Sequence, residues 1–179
     1  LLDHYGTNVL VSALRSDKSG ISALTEALER HGFDKNFSDI FTDWTIAVFV
    51  NDCSLGSHYC YRNPHLADLR VPPVTNFLPT AEQVRITVTR TTKAWAGNWV
   101  KIGGGSGTLR LTFDGNAGAQ FRVPYLLESD KQKYEIGFLE LTSTQQGGVV
   151  VENFGQRYGG VILLPSVQGK TTGFTSSEP

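Results

Sequence analysis

The sequence predicts a segregated α+β fold: a small N-terminal helical bundle followed by an antiparallel β-sandwich of jelly-roll or immunoglobulin-like type. Three observations predict it. Apolar residues recur at helical spacing from Leu2 to Val48. A stretch rich in Asn, Cys, Gly, His, Pro and Tyr then interrupts the pattern. Beyond Pro79 the apolar period changes from helical spacing to two. The domain plan that follows is a helical subdomain over 1–52, a linker over 53–79 with the boundary near 75–80, and a β-sandwich over 80–179.

The first helix is predicted over residues 1–16, from Leu2, Tyr5, Val9, Leu10, Ala13 and Leu14. Gly6 and Asn8 weaken its interior and predict a break. Ser19 or Gly20 opens a second helix. Ile21, Leu24, Ala27 and Leu28 form its apolar stripe, and Gly32 is its stop signal. Asn36 is placed to cap a third helix, with Asp39 in its first turn, where a carboxylate suits the helix dipole. The expected core stripe of that helix is Phe37, Ile40, Phe41, Trp44, Ala47 and Val48.

In the second half, Val84 to Arg90 alternates apolar and polar residues and predicts a strand, and Lys93 to Ile102 predicts another. The glycine-rich run Gly103 to Gly107 reads as a turn into the strand Leu109 to Phe113. Asp114-Gly115-Asn116 is the next turn. Ala119 to Leu127, Tyr134 to Thr142, Gly148 to Val151 and Gly160 to Leu164 complete seven or eight short strands at sandwich spacing.

The chain has 179 residues, 40% hydrophobic and 18% charged, a globular composition. A net charge of −1 provides no general field for nucleic acid or an anionic membrane, so neither is an expected partner. No apolar run reaches the ~20 residues needed to span a bilayer. The sequence contains no Met and opens inside an apolar pattern, Leu1-Leu2-Asp3-His4-Tyr5, which reads as a piece of a longer protein. The cysteine pair and the Gly- and Thr-rich composition point to export, so the expected location is secreted or cell-surface.

Four residues could suit tetrahedral zinc by type: Cys53, His58, Cys60 and His65. Their spacing matches no finger pattern. A disulfide between Cys53 and Cys60 is preferred, with free thiols as the third reading. Such a bridge would contribute about 2 kcal/mol by loop closure. Gly103 to Gly107 lacks the Lys-Ser/Thr pair and the following helix of a phosphate loop. Asp114 and Asn116 begin like a calcium loop, but the remaining acidic ligands are missing, so a turn is preferred. Asn36-Phe37-Ser38 fits an N-glycosylation acceptor and equally a helix start. Trp95 and Trp99 fall on one face of a predicted strand with Gly97. They are core residues or, if exposed, a platform for a sugar or peptide. No G-x-S-x-G elbow and no H-E-x-x-H pair occurs, so no catalytic or metal-ligating residue is assigned.

The pattern Gly20-Ile21-x-x-Leu24-x-x-x-Leu28-x-x-x-Gly32, then Phe37-x-x-Ile40-Phe41-x-Asp43-Trp44-x-x-Ala47 and Asn51-Asp52, resembles a segment of secreted bacterial zinc metallopeptidases of the immune-inhibitor-A and hyicolysin-like type. In that family the segment follows the zinc motif and closes the peptidase domain. Tyr59-Cys60-Tyr61-Arg62-Asn63 is similar to the exit from it. Asn153-Phe154-Gly155, Tyr158 and Val161 to Pro165 are similar to late strands of the β-sandwich that often comes next. The resemblance implies packing and capping roles for Asp43-Trp44 and Asn51-Asp52. It also implies zinc in an upstream peptidase domain, and no cofactor held by these residues.

The function expected is therefore that of a C-terminal portion of a secreted metallopeptidase-like protein, not catalytic alone, acting with its upstream domain on a protein substrate. A second expectation is an extracellular module that binds glycan or protein through Trp95 and Trp99. A third is a structural domain of a surface protein, without a ligand.

Overall fold

The computed structural model describes residues 2–79, 84–129 and 133–168. Contacts divide the chain into two compact units, with the division between Leu69 and Arg70. Among the described residues the order is segregated as expected, with three α-helices followed by a mostly antiparallel sheet.

In the first unit, α1 spans Leu2–Leu14, α2 Gly20–Arg30 and α3 Phe37–Val50. The break expected in α1 falls at Gly6, whose φ of 78° and ψ of 169° leave helical space. Only glycine enters that region without strain. Val9 of α1 packs with Ala27 and Leu28 of α2, and Tyr5, Leu24, Phe33 and Ile40 close around them. Asn36 caps α3 reciprocally. Its side chain accepts from Asp39 N at 3.1 Å, and its own N–H donates to Asp39 Oδ2 at 2.9 Å.

The second half of α3 is buried on every side, from Thr45 to Val50. A helix apolar all round belongs inside a core. Thr42 and Thr45 keep buried hydroxyls satisfied by donating to Ser38 O and Thr42 O, both at 2.8 Å. Trp44 departs from the expected core stripe, with 42% of its surface exposed. Its indole lies against Phe41, with ring centroids 5.5 Å apart, and hydrogen-bonds the Tyr61 hydroxyl. Because Trp44 carries an N–H, it is better placed where that group finds a partner than deep among apolar side chains.

The stretch read as a linker is structured. Two 3₁₀ turns, Cys53–Leu55 and Pro64–Leu66, belong to the helical unit. They are tied to it by His4 Nε2–H donating to Cys60 O at 3.0 Å and by Arg62 Nη1 donating to Asp3 O at 3.3 Å. Val74–Phe77, also inside that stretch, is a strand of the second unit.

Among the described residues the second unit holds nine strands: β1 Val74–Phe77, β2 Val100–Gly103, β3 Gly107–Asp114, β4 Phe121–Arg122, β5 Pro124–Ser129, β6 Tyr134–Phe138, β7 Gln146–Phe154, β8 Tyr158–Leu163 and β9 Ser166–Val167. The main sheet runs β1-β2-β8-β5-β6, and β7, paired with β3, joins it by one bridge from Phe154 to Tyr158. β4 and β9 form a separate two-stranded sheet. Leu111 and Val151 from β3 and β7 share one buried cluster with Val161 and Leu163 from β8 and with Val123 and Leu139. One core thus serves the β3–β7 pair and the strands of the main path.

Of the predicted strands, one is absent and one is shortened. Residues 84–90 lie outside any strand, although their alternation is regular. The place beside β2 is taken by β1 on one side and β8 on the other, and Ile86 and Val88 remain exposed. The second predicted strand shrinks from 93–102 to Val100–Gly103 because Trp95 has a φ of 57°. That left-handed residue ends an extended run. The glycine-rich turn forms as expected, with Gly104 and Gly105 at φ of 74° and 73°.

Candidate functional site

A group of ionisable side chains in the helical unit gathers around Asp43. This residue lies nearly two turns into α3, on the side facing the loop that carries Lys35 and the turn that carries His58. Lys35 donates its ammonium to Asp43 Oδ2. His58 Nε2 lies 3.8 Å from Asp43 Oδ1, so the two form an ion pair when the imidazole is protonated. The Asp43 side chain is only 14% exposed, which strengthens its field on its neighbours.

The neighbours respond. Burial lowers the Lys35 ammonium, but the hydrogen bond to Asp43 and its charge outweigh this, and the net shift is upward. Burial pushes the Tyr5 hydroxyl up; Lys35 opposes this, while Asp43 and Asp39 add to it. Tyr59 is raised by burial and then by Asp43. The His58 ring stacks edge-on against Tyr59, with centroids 4.1 Å apart.

Chemically this is an ionic latch. The carboxylate is held by an ammonium, and an imidazole and two phenols are packed around it. Its effect is to bring the segments before and after α3 together on the middle of that helix. Asp43 carried part of the sequence resemblance, but Lys35 and His58 left no signal as its partners. Lys35 lies before the helix and His58 after it, so no helical spacing links them.

Asn51 is the second organiser. It ends α3 in the left-handed region, at φ 41° and ψ 56°. Its Oδ1 accepts from Tyr61 N at 2.9 Å. Its Nδ2 donates to Leu66 O, Ala67 O and Leu69 O at 2.9, 2.8 and 3.3 Å. Asp52 extends the arrangement by capping the first 3₁₀ turn through Ser54 N at 2.8 Å.

Cys53 and Cys60 are joined by a disulfide. Both sulfurs are therefore withdrawn from the four-ligand zinc reading with His58 and His65. Among the described residues no group of three or more His, Cys, Asp and Glu is placed to hold a metal ion. Asn116 Oδ1 accepts from Gly118 N at 2.8 Å, an Asx turn, and Asp114 Oδ1 accepts from Gln146 Nε2 at 3.1 Å. The two oxygens serve the turn that was preferred over calcium.

Trp95 and Trp99 do not line up on one strand face. Trp95 turns the chain, and both are partly buried. The Trp99 ring lies over Gly97, where a Cβ would stand 2.3 Å from it, so one ring face is covered by its own chain. Asn98 holds this loop closed through Thr92 Oγ1 at 2.7 Å and Pro165 O at 3.0 Å. Among the described residues no helix is long and apolar enough to cross a membrane.

Compared with known proteins, the chain matches no family model, no curated protein and no solved structure.

Proposed function

We propose that the chain is the C-terminal portion of a secreted metallopeptidase-like protein, a helical end-piece of a peptidase domain followed by a β accessory unit. One observation carries this reading. Asp43 and Asn51, two of the residues on which the resemblance rests, are also the two that organise the polar contacts of the helical unit. A motif kept for closing a domain would spend its polar residues in this way. In a zinc peptidase the metal polarises the scissile carbonyl and acidifies its bound water. The residues here do not fit that ion, since the sulfurs are paired and Asp43 is engaged by Lys35. The role assigned to this chain is to give the upstream ligand helix a rigid partner surface.

The test extends expression into the natural upstream coding sequence. An upstream H-E-x-x-H, with chelator-sensitive proteolysis by the extended protein and none by the 179 residues alone, is the expected result. Chelator-sensitive proteolysis by the 179 residues themselves, or an upstream region without zinc ligands, overturns the proposal.

A further inference from the structure

We infer that residues 84–91 of the second unit are a processing site, cut after Arg85 or Arg90 by an endopeptidase that selects basic residues. The step is hydrolysis of one peptide bond. Water supplies a hydroxyl to the arginine carbonyl carbon, the C–N bond breaks, and the remaining hydrogen goes to the departing amine. The inference concerns the second unit alone and does not depend on the parent proposed above.

The backbone of this segment is available to an enzyme. Every residue from Arg85 to Thr91 is exposed, and Val84 is half-buried. No hydrogen bond or ion pair joins residues 84–91 to any other described residue. The run contains no helix, turn or bend, and no residue in it has a positive φ. An extended peptide is recognised through its main-chain hydrogen bonds, with alternate side chains read by pockets. A segment whose donors and acceptors are not engaged by its own fold offers them without prior unfolding.

The segment is presented from fixed points in the folded unit. Upstream, Leu78 N donates to Gly103 O at 2.8 Å. Downstream, Thr92 Oγ1 accepts from Asn98 Nδ2 at 2.7 Å, and Trp95 N donates to Val167 O at 2.9 Å. The exposed stretch between them is long enough to fill the subsites on both sides of a cut after Arg90, from Thr87 to Thr91.

The side chains select the class of enzyme. Arg85 and Arg90 are the only charged residues of the run, set among Val84, Ile86, Val88 and three threonines. An acidic specificity pocket takes arginine at the position before the cut bond. Other basic residues sit in backbone that is already bonded. Lys101, Arg110 and Arg122 lie in paired strands, and Arg30 lies in α2. Arg157 N donates to Asn153 O at 2.8 Å. Cleavage at those places waits on local opening, and is slower for that reason.

The cut has a defined product. After Arg90 it leaves the helical unit with β1 on residues 1–90, and β2 to β9 on residues 91–179. The Cys53–Cys60 disulfide lies wholly on the first product, so no disulfide bridges the cut.

The test is limited digestion of the full chain with trypsin, read by the intact masses of the products under denaturing conditions. The first products should end at Arg85 or Arg90, and form at least about tenfold faster than any others. Arg85→Gln combined with Arg90→Gln should abolish those products without changing the circular dichroism or the melting temperature. Arg85→Lys combined with Arg90→Lys should make the same segment the first target of a lysine-selective endopeptidase, which cannot cut it in the unaltered chain. A first cut at any other residue overturns the inference. So does a glutamine variant cut as fast as the unaltered chain, or a lysine variant whose first cut lies elsewhere. An unaltered chain that stays whole while casein is digested in the same mixture overturns it as well.

Discussion

Asn51 shows how much one side chain can carry when its backbone does what most residues avoid. The left-handed conformation costs an ordinary L-residue about 1–2 kcal/mol, and asparagine tolerates it better than most. The side chain then uses both polar atoms on the segment that follows, from Tyr61 to Leu69. The two contributions can be separated. Asn51→Ala loses both and should destabilise the helical unit by about 2 kcal/mol. Asn51→Gly restores the backbone freedom but not the hydrogen bonds, and should recover roughly half of that loss. Denaturant titration followed by helical circular dichroism measures both variants. Equal losses would mean that the backbone conformation contributes nothing. From sequence, Asn51 is visible as a residue after a helix and, through the resemblance, as a capping residue. Its reach to carbonyls 15 to 18 positions on is set by the fold of the loop and leaves no local trace.

At the scale of elements, the helices were more legible than the strands, and the reason is physical. A helix satisfies its backbone within itself, so an apolar stripe and a cap describe it almost fully. The stripe of α2 and the Asn36–Asp39 box at α3 are read directly from neighbouring residues. A strand must also win a partner. Residues 84–90 alternate as a strand should, yet β1, behind two prolines and without clear alternation, holds the place beside β2. Local pattern cannot rank competitors for one edge. The candidate site follows the same rule, because Asp43 was visible while its partners came from outside the helix. The box at α3 also provides an element-scale prediction. Asn36→Ala removes the acceptor for Asp39 N and should cost about 1 kcal/mol. Hydrogen exchange should then quicken in the first turn of α3, at Ser38 and Asp39, and not at Phe49 or Val50. Uniform quickening along α3 would show that the cap governs the whole helix instead.

Across the whole molecule, the shifted groups lean toward lability in alkali, and they are spread over both units. In the helical unit, Tyr5, Tyr59 and Tyr61 are raised chiefly by burial, and Lys35 is raised by Asp43 against the effect of its burial. In the β unit, Tyr134 is raised by burial and then by Glu128, and Tyr158 by burial and then by the hydrogen bond to Glu135. A group whose folded pKa is raised holds its proton longer folded than unfolded. Its stabilisation is complete below the unfolded value, about 10 for tyrosine and 10.4 for lysine, and is lost as pH rises through the folded value. All six groups therefore act in the same direction above about pH 10. On the acid side, Glu26 is lowered first by its hydrogen bond to Lys18, and Glu135 by those to Tyr158 and Arg157. Their contribution is present above the ordinary glutamate value and fades as pH falls through the lowered one. Both lie at the surface, where solvent screens them. Melting temperature should thus fall more steeply between about pH 10 and 11.5 than between about pH 5 and 3.5. Phenolate absorbance should show a late-titrating set of tyrosines that merges with the ordinary set once the protein is unfolded in denaturant. A flat alkaline limb, with all tyrosines titrating together in the native protein, would show that the phenols are not held out of water by the folded chain.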